Sequence, residues 1–158
     1  MLRPTARGND PRRKARGQTL VEFSLVLIPF LYMMMGVLDL GRGIYTNNGL
    51  AQAAREIART ASVHQCSGPC TSSNWSAEIG ATIATQKKLV PGITDTSIAI
   101  GCVDITDTAQ TIDAGGICPP GDFIKVTVGA TFRLVTPLLP VPNPMSLSSS
   151  AHIQVPAP

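Results

Sequence analysis

Aromatic residues are scarce in this 158-residue chain, at 4%, and charged residues make up only 15%. One Trp, two Tyr and four Phe give little bulk for a large core. The length allows one small domain of about 90 residues beside a membrane segment. Only two histidines occur, His64 and His152, and neither has a carboxylate or serine at a readable spacing. Nothing therefore signals nucleophilic or acid–base catalysis, and no motif asks for a cofactor. Cysteine is absent before position 66, and the four that follow do not form a paired CxxC set, which argues against a zinc site, even one including His64.

The most consequential absence is of charge. Residues 23–38 contain no charged side chain and are mostly Leu, Val, Ile, Phe and Met. With Leu20, Val21 and Leu40 the apolar span reaches about 20 residues, the length that crosses a hydrocarbon core at about 1.5 Å per residue. Glu22 and Asp39 interrupt it near its two ends.

The net charge of +3 conceals a segregation. Residues 1–17 carry Arg3, Arg7, Arg12, Arg13, Lys14 and Arg16 against Asp10, whereas residues 18–158 carry seven positive and nine negative charges. A basic tail beside a membrane span is a topology signal before it is a nucleic-acid site, so no nucleic-acid partner is expected. Arg12, Arg13, Lys14 and Arg16 would hold the N-terminus in the cytoplasm and place everything after Asp39 outside. Cys66, Cys70, Cys102 and Cys118 all fall on the presumed outer side, and their even number favours disulfides. Four cysteines allow three connectivities. Cys66–Cys70 and Cys102–Cys118 is the favoured one, because each pair closes a short local loop.

Three segments follow from this organisation: a basic leader over 1–17, a helix over 18–62 that crosses the membrane and continues beyond it, and an outer α+β domain over 63–158. Residues 1–16 lack apolar periodicity and read as disordered. The helix should begin near Gln18. Leu40, Ile44, Leu50, Ala51, Ala54, Ile57, Ala58 and Ala61 recur at helical spacing after the span, and Arg42 can reach Asp39 three residues earlier. Pro29 removes one backbone hydrogen bond inside the span, and Asn47-Asn48-Gly49 is the point where a kink is expected. Ala51-Gln52-Ala53 has the form of a signal-peptide cleavage site but lies too far beyond the apolar run; a packed helix face is the better reading.

A turn over 63–74 precedes a second helix over 75–89, capped by Ser76 or Asn74, with Ile79, Ile83 and Leu89 along one stripe. The period then changes to two over 96–105, 123–134 and 146–155, giving a small antiparallel sheet of three to four strands. The helices should lie on one face of that sheet.

Several stretches resemble the TadE-like family of the tight-adherence (Flp) pilus machinery, whose members are minor pilin or pseudopilin proteins. They are Gly17-Gln18-Thr19-Leu20-Val21-Glu22-Phe23, the apolar run with Pro29, Gly36-x-x-Asp39-x-Gly41-Arg42, and Ala53-Ala54-Arg55-Glu56-x-Ala58-Arg59. Val126-x-Val128 and Phe132-x-x-x-Thr136-Pro137 extend the resemblance more weakly. It implies cleavage between Gly17 and Gln18 by a membrane prepilin peptidase. Gln18 departs from the apolar first residue of many pilins. The resemblance also implies that Glu22 pairs with the new α-amine of a neighbouring subunit and sets register between helices. A carboxylate in a span costs on the order of 2.5–3.5 kcal/mol at mid-bilayer and less near the edge, so Glu22 needs a partner unless it snorkels to the interface. The implied partners are the prepilin peptidase, the inner-membrane pilus platform and other pilin-like subunits, including the major pilin. The implied work is assembly rather than catalysis. An uncleaved, membrane-anchored binding domain is the competing reading.

Overall fold

The computed structural model describes residues 11–64, 66, 70–110, 118–136 and 144–156, with the backbone alone over 11–16. Residues 1–10 of the leader, residues 65, 67–69, 111–117 and 137–143, and residues 157–158 lie outside the described residues.

One helix, α1 (Pro11–Val63), runs 53 residues, about 80 Å at 1.5 Å per residue. It starts earlier than Gln18. Pro11 suits a first helical position, since its fixed φ is already helical and its missing N–H had no partner to lose there. No break occurs at Asn47-Asn48-Gly49 or at Pro29. At Gly49 the reason is packing. A Cβ there would lie 2.8 Å from Cγ2 of Val90, so the glycine lets the chain end of the second helix approach α1. That contact outweighs the roughly 1 kcal/mol of helix propensity that glycine forgoes.

Helix α2 (Ala77–Leu89) is capped by Ser76, whose Oγ accepts from the Ile79 N–H at 3.3 Å. Lys87 and Lys88 occupy its last turn, where they complement the helix dipole. Ile79 and Ile83 are buried, but Leu89 is 61% exposed and does not belong to the stripe. Val90 takes its place, turning inward against Gly49.

Three strands follow: β1 (Ile93–Val103), β2 (Phe123–Phe132) and β3 (Met145–Gln154). They form one antiparallel sheet in the order β1-β2-β3. The central strand shows the expected alternation, with Ile124, Val126, Val128, Ala130 and Phe132 buried and the intervening residues facing the other way. β1 begins three residues earlier than the period suggested, because its register shifts between Ile93 and Ile98 and the irregularity breaks the alternation there.

The core lies between the far half of α1 and the sheet. Leu50, Ala53, Ala54, Ile57, Ala58 and Ala61 are fully or almost fully buried and share one cluster with Ile79, Ile83, Val126 and Val128. Their spacing puts them on one face of α1, which packs against β2 and β3 with α2 alongside. The alanines let the helix sit close to the valines of β2. Cys66 lies within disulfide distance of Cys70 and Cys102 of Cys118, with Cα separations of 5.4 and 5.7 Å. The two pairings engage all four sulfurs. Among the described residues no three His, Cys, Asp or Glu side chains gather as metal ligands. The architecture is α+β: one long helix, one short helix and a three-stranded sheet.

Candidate functional site: the apolar helix and its junction with the head

The apolar near half of α1 is not buried by the rest of the described residues. An 18-residue window within Gly17–Val63 reaches a mean hydropathy of 2.0 with none of it buried. Phe23 is 64% exposed and Met33 72%, and Leu25, Ile28, Phe30 and Leu31 are exposed as well. A soluble protein leaves few large apolar side chains contiguously exposed. This helix is long and apolar enough to cross a membrane and is consistent with a single-pass anchor.

Gly17, Gln18 and Glu22 stand at the start of that surface, all exposed. Gln18 Nε2 donates to Glu22 Oε1 at 3.3 Å, one helical turn away. Among the described residues, its chain neighbours and the helix backbone aside, nothing lies within 4 Å of where a Gly17 Cβ would be. Arg12, Arg13, Lys14 and Arg16 continue the helix backbone upstream, and their side chains lie outside the described residues. Gly36 and Gly41 also face open space, whereas Gly43 approaches the Phe132 ring, at 3.8 Å from the position of a Cβ.

The junction of helix and head is built on Asp39, which the sequence marks as an interruption of the apolar run and as a partner for Arg42 but not as a contact to the sheet. Asp39 is 3% exposed. Its carboxylate accepts from the backbone N–H of Val135 at 3.1–3.2 Å and of Thr136 at 2.8 Å. It also accepts from the Thr136 hydroxyl. Arg42 donates to it at 3.4 Å, as the i,i+3 spacing anticipated. The Arg42 guanidinium lies over the Phe132 ring, 5.5 Å from its centroid. The segment leaving β2 is thus strapped to α1 where the apolar half ends. A carboxylate that accepts several N–H and O–H bonds is satisfied as a charge even when it is buried. Two separate patterns in the sequence, one around Asp39 and one that includes Thr136, are the two sides of this contact.

At the opposite end of the sheet the loop after β1 forms a second polar cluster. Asp104 Oδ1 accepts from the Thr106 hydroxyl at 2.6 Å, the Thr106 N–H at 2.8 Å and the Thr108 N–H at 2.9 Å. The Thr106 hydroxyl, with the other donors behind it, holds the Asp104 carboxyl below its ordinary range. Asp107 adopts a left-handed backbone, with φ at 62°, a conformation Asp tolerates better than most residues. It pairs with Lys125 Nζ at 2.7 Å and with His152 Nε2 at 3.1 Å. The hydrogen bond from Lys125 is the main reason the Asp107 carboxyl lies low. His152, isolated in the sequence, therefore has a carboxylate partner 45 residues away. Lys125 and His152 face each other across β2 and β3, so the cluster ties a loop to two strands. His64 is exposed, and the cysteines nearest it are paired with each other.

Fold and junction together define a class of protein: an α+β head strapped to the far half of one helix, whose bare near half is suited to a membrane. Residues 17–59 are TadE-like, matching the family model described as TadE-like protein. The match begins at Gly17 and includes Glu22, Asp39, Arg42 and the alanine face that carries the head. It points to a component associated with the Tad pilus. Neither the curated proteins nor the solved structures contain a match to this chain.

Proposed function

We propose that this chain is a minor pilin or pseudopilin-like subunit of a tight-adherence pilus or secretion system. It is matured by a prepilin peptidase between Gly17 and Gln18 and does assembly work without chemistry of its own. The observation that carries this reading is the division of α1. Its near half is apolar and exposed, while one face of its far half is buried in the core, and the TadE-like match runs over both. A helix so divided can offer its free half to a bundle of similar helices without unfolding the head. Open space at Gly36 and Gly41 suits close approach by a neighbouring helix. Glu22, exposed near the start of the span, would pair with the α-amine of an adjacent processed subunit. The basic leader would keep the N-terminus cytoplasmic, with the disulfide-bearing head outside. The peptidase, the inner-membrane platform and other pilin-like subunits are the proposed partners.

One observation favours the second reading, an uncleaved anchor whose head binds a surface ligand. α1 runs unbroken from Pro11 across the Gly17–Gln18 bond, so a peptidase would have to open a helical turn there. Glycine at position 17 makes that opening about 1 kcal/mol easier than alanine would. Intact mass separates the readings. The protein purified from its own membranes should lack residues 1–17, and a Gly17→Ala variant should retain them. Full-length mass in both would sink the processing step and leave the anchored binding domain.

A further inference from the structure

Between α1 and the end of β2 lies a groove of about 720 Å³. Its lining joins two chemistries. Val37 and Leu38, both largely exposed, end the apolar run, and Phe132 extends the apolar wall. Arg42, Tyr45 and Arg133 line the same groove, with Arg42 about one helical turn beyond Leu38 and Tyr45 about two. Among the described residues no Asp or Glu lines it. Arg42 uses one of its five N–H donors on Asp39 and keeps its side chain 56% exposed. Arg133 is exposed and forms no ion pair among the described residues.

The order of these residues along α1 matches the order of layers in a bilayer. Apolar side chains give way, within one or two turns, to arginine and then to an exposed tyrosine, the residue type enriched at membrane interfaces. A ligand complementary to both chemistries has an apolar tail and an anionic head. We propose that this groove holds one anionic phospholipid, with its phosphate between Arg42 and Arg133 and an acyl chain along Val37 and Leu38. The inference rests on α1 standing in a bilayer. Phosphate suits guanidinium donors, and Phe132 keeps Arg42 stacked at the groove. A lipid so held would fix the height of the head on the membrane, and the subunit would have to shed it on leaving the bilayer.

The test uses the full chain in nanodiscs of phosphatidylcholine containing a photoactivatable phosphatidylglycerol, with a photoactivatable phosphatidylcholine as control. Crosslinks would be mapped by peptide mass. The phosphatidylglycerol probe should mark residues 37–45 and 131–135, and the control should mark them weakly. Arg133→Gln should cut phosphatidylglycerol adducts there about fivefold, the factor one basic residue contributes near an anionic membrane, and Arg133→Lys should restore most of them. Equal marking by both probes, no effect of Arg133→Gln, or crosslinks in the groove to a second copy of the chain would overturn the lipid site. A chain that failed to enter nanodiscs at all would overturn the membrane span itself, a separate result read from the free fraction.

Discussion

Asp39 sits at the end of an apolar run, is charged, and is shielded from water. A carboxylate in that position costs free energy unless its acceptor capacity is filled. Val135, Thr136 and Arg42 fill it. Thr136 contributes both a backbone and a hydroxyl donor, so Thr136→Val, close in shape, removes one bond and leaves the other. It should lower the melting temperature of the head by roughly 5 °C, the effect of losing one hydrogen bond in a domain of this size. It should also expose the segment after β2 to protease. Thermal unfolding in detergent with limited proteolysis reads both, and unchanged values would show that the strap is held by packing alone. This contact was invisible in the sequence because its partners are 96 and 97 residues apart. Asp39 and Thr136 could each be seen, but nothing local says that they meet. The same holds for His152, whose partner Asp107 comes from a loop on the other side of the sheet order.

Among the elements, the loop over 104–110 is held to the sheet mostly by carboxylates. Asp104 and Asp107 both lie below their ordinary value of 3.8 when folded. The folded state therefore binds fewer protons than the unfolded state once the pH nears that value. Their stabilisation is complete above about 3.8 and is lost as the pH falls through the lower folded values. Lys125→Met removes the main cause at Asp107. The variant should be less stable than the parent by a constant amount from pH 7 to about 5, and the gap should close below about 3.8. Both groups of the pair are partly exposed, so the gap should be modest and should shrink with added salt. Chemical denaturation at a series of pH values measures it, and a gap that persisted undiminished at low pH would remove the ion pair from the account. At this scale α2 and the strands were readable, since capping at Ser76 and the alternation in β2 are local patterns. The continuity of α1 through Gly49 was not, because it depends on Val90 arriving from another element.

The whole molecule is one helix with two uses. Its far half is half of a hydrophobic core, and its near half is a free surface that includes Glu22. The two halves should respond independently to substitution, because sites that share no partners behave additively. Glu22→Gln should leave the thermal unfolding of the head unchanged and, on the proposed function, abolish co-purification with pilin-like subunits. Retained co-purification would show that the carboxylate does not set subunit register, and a destabilised head would show that the halves are coupled.

Length, the uncharged run over 23–38, the charge segregation and the change of period from residue 96 determined the order of elements and the class of the protein by themselves. Each is a property of neighbouring residues, and local physics acts on neighbours. The resemblance at Gly17 and Glu22 was likewise carried by a short contiguous stretch, which the family match over 17–59 includes. Tertiary structure alone decided that the helix stays whole at Gly49, that Asp39 is a buried anchor, and that Arg42 and Arg133 share a groove with the end of the apolar run. Those facts depend on which distant segments the sheet and α1 bring together. The free energy of a buried contact is set by its surroundings rather than by the residue types that make it.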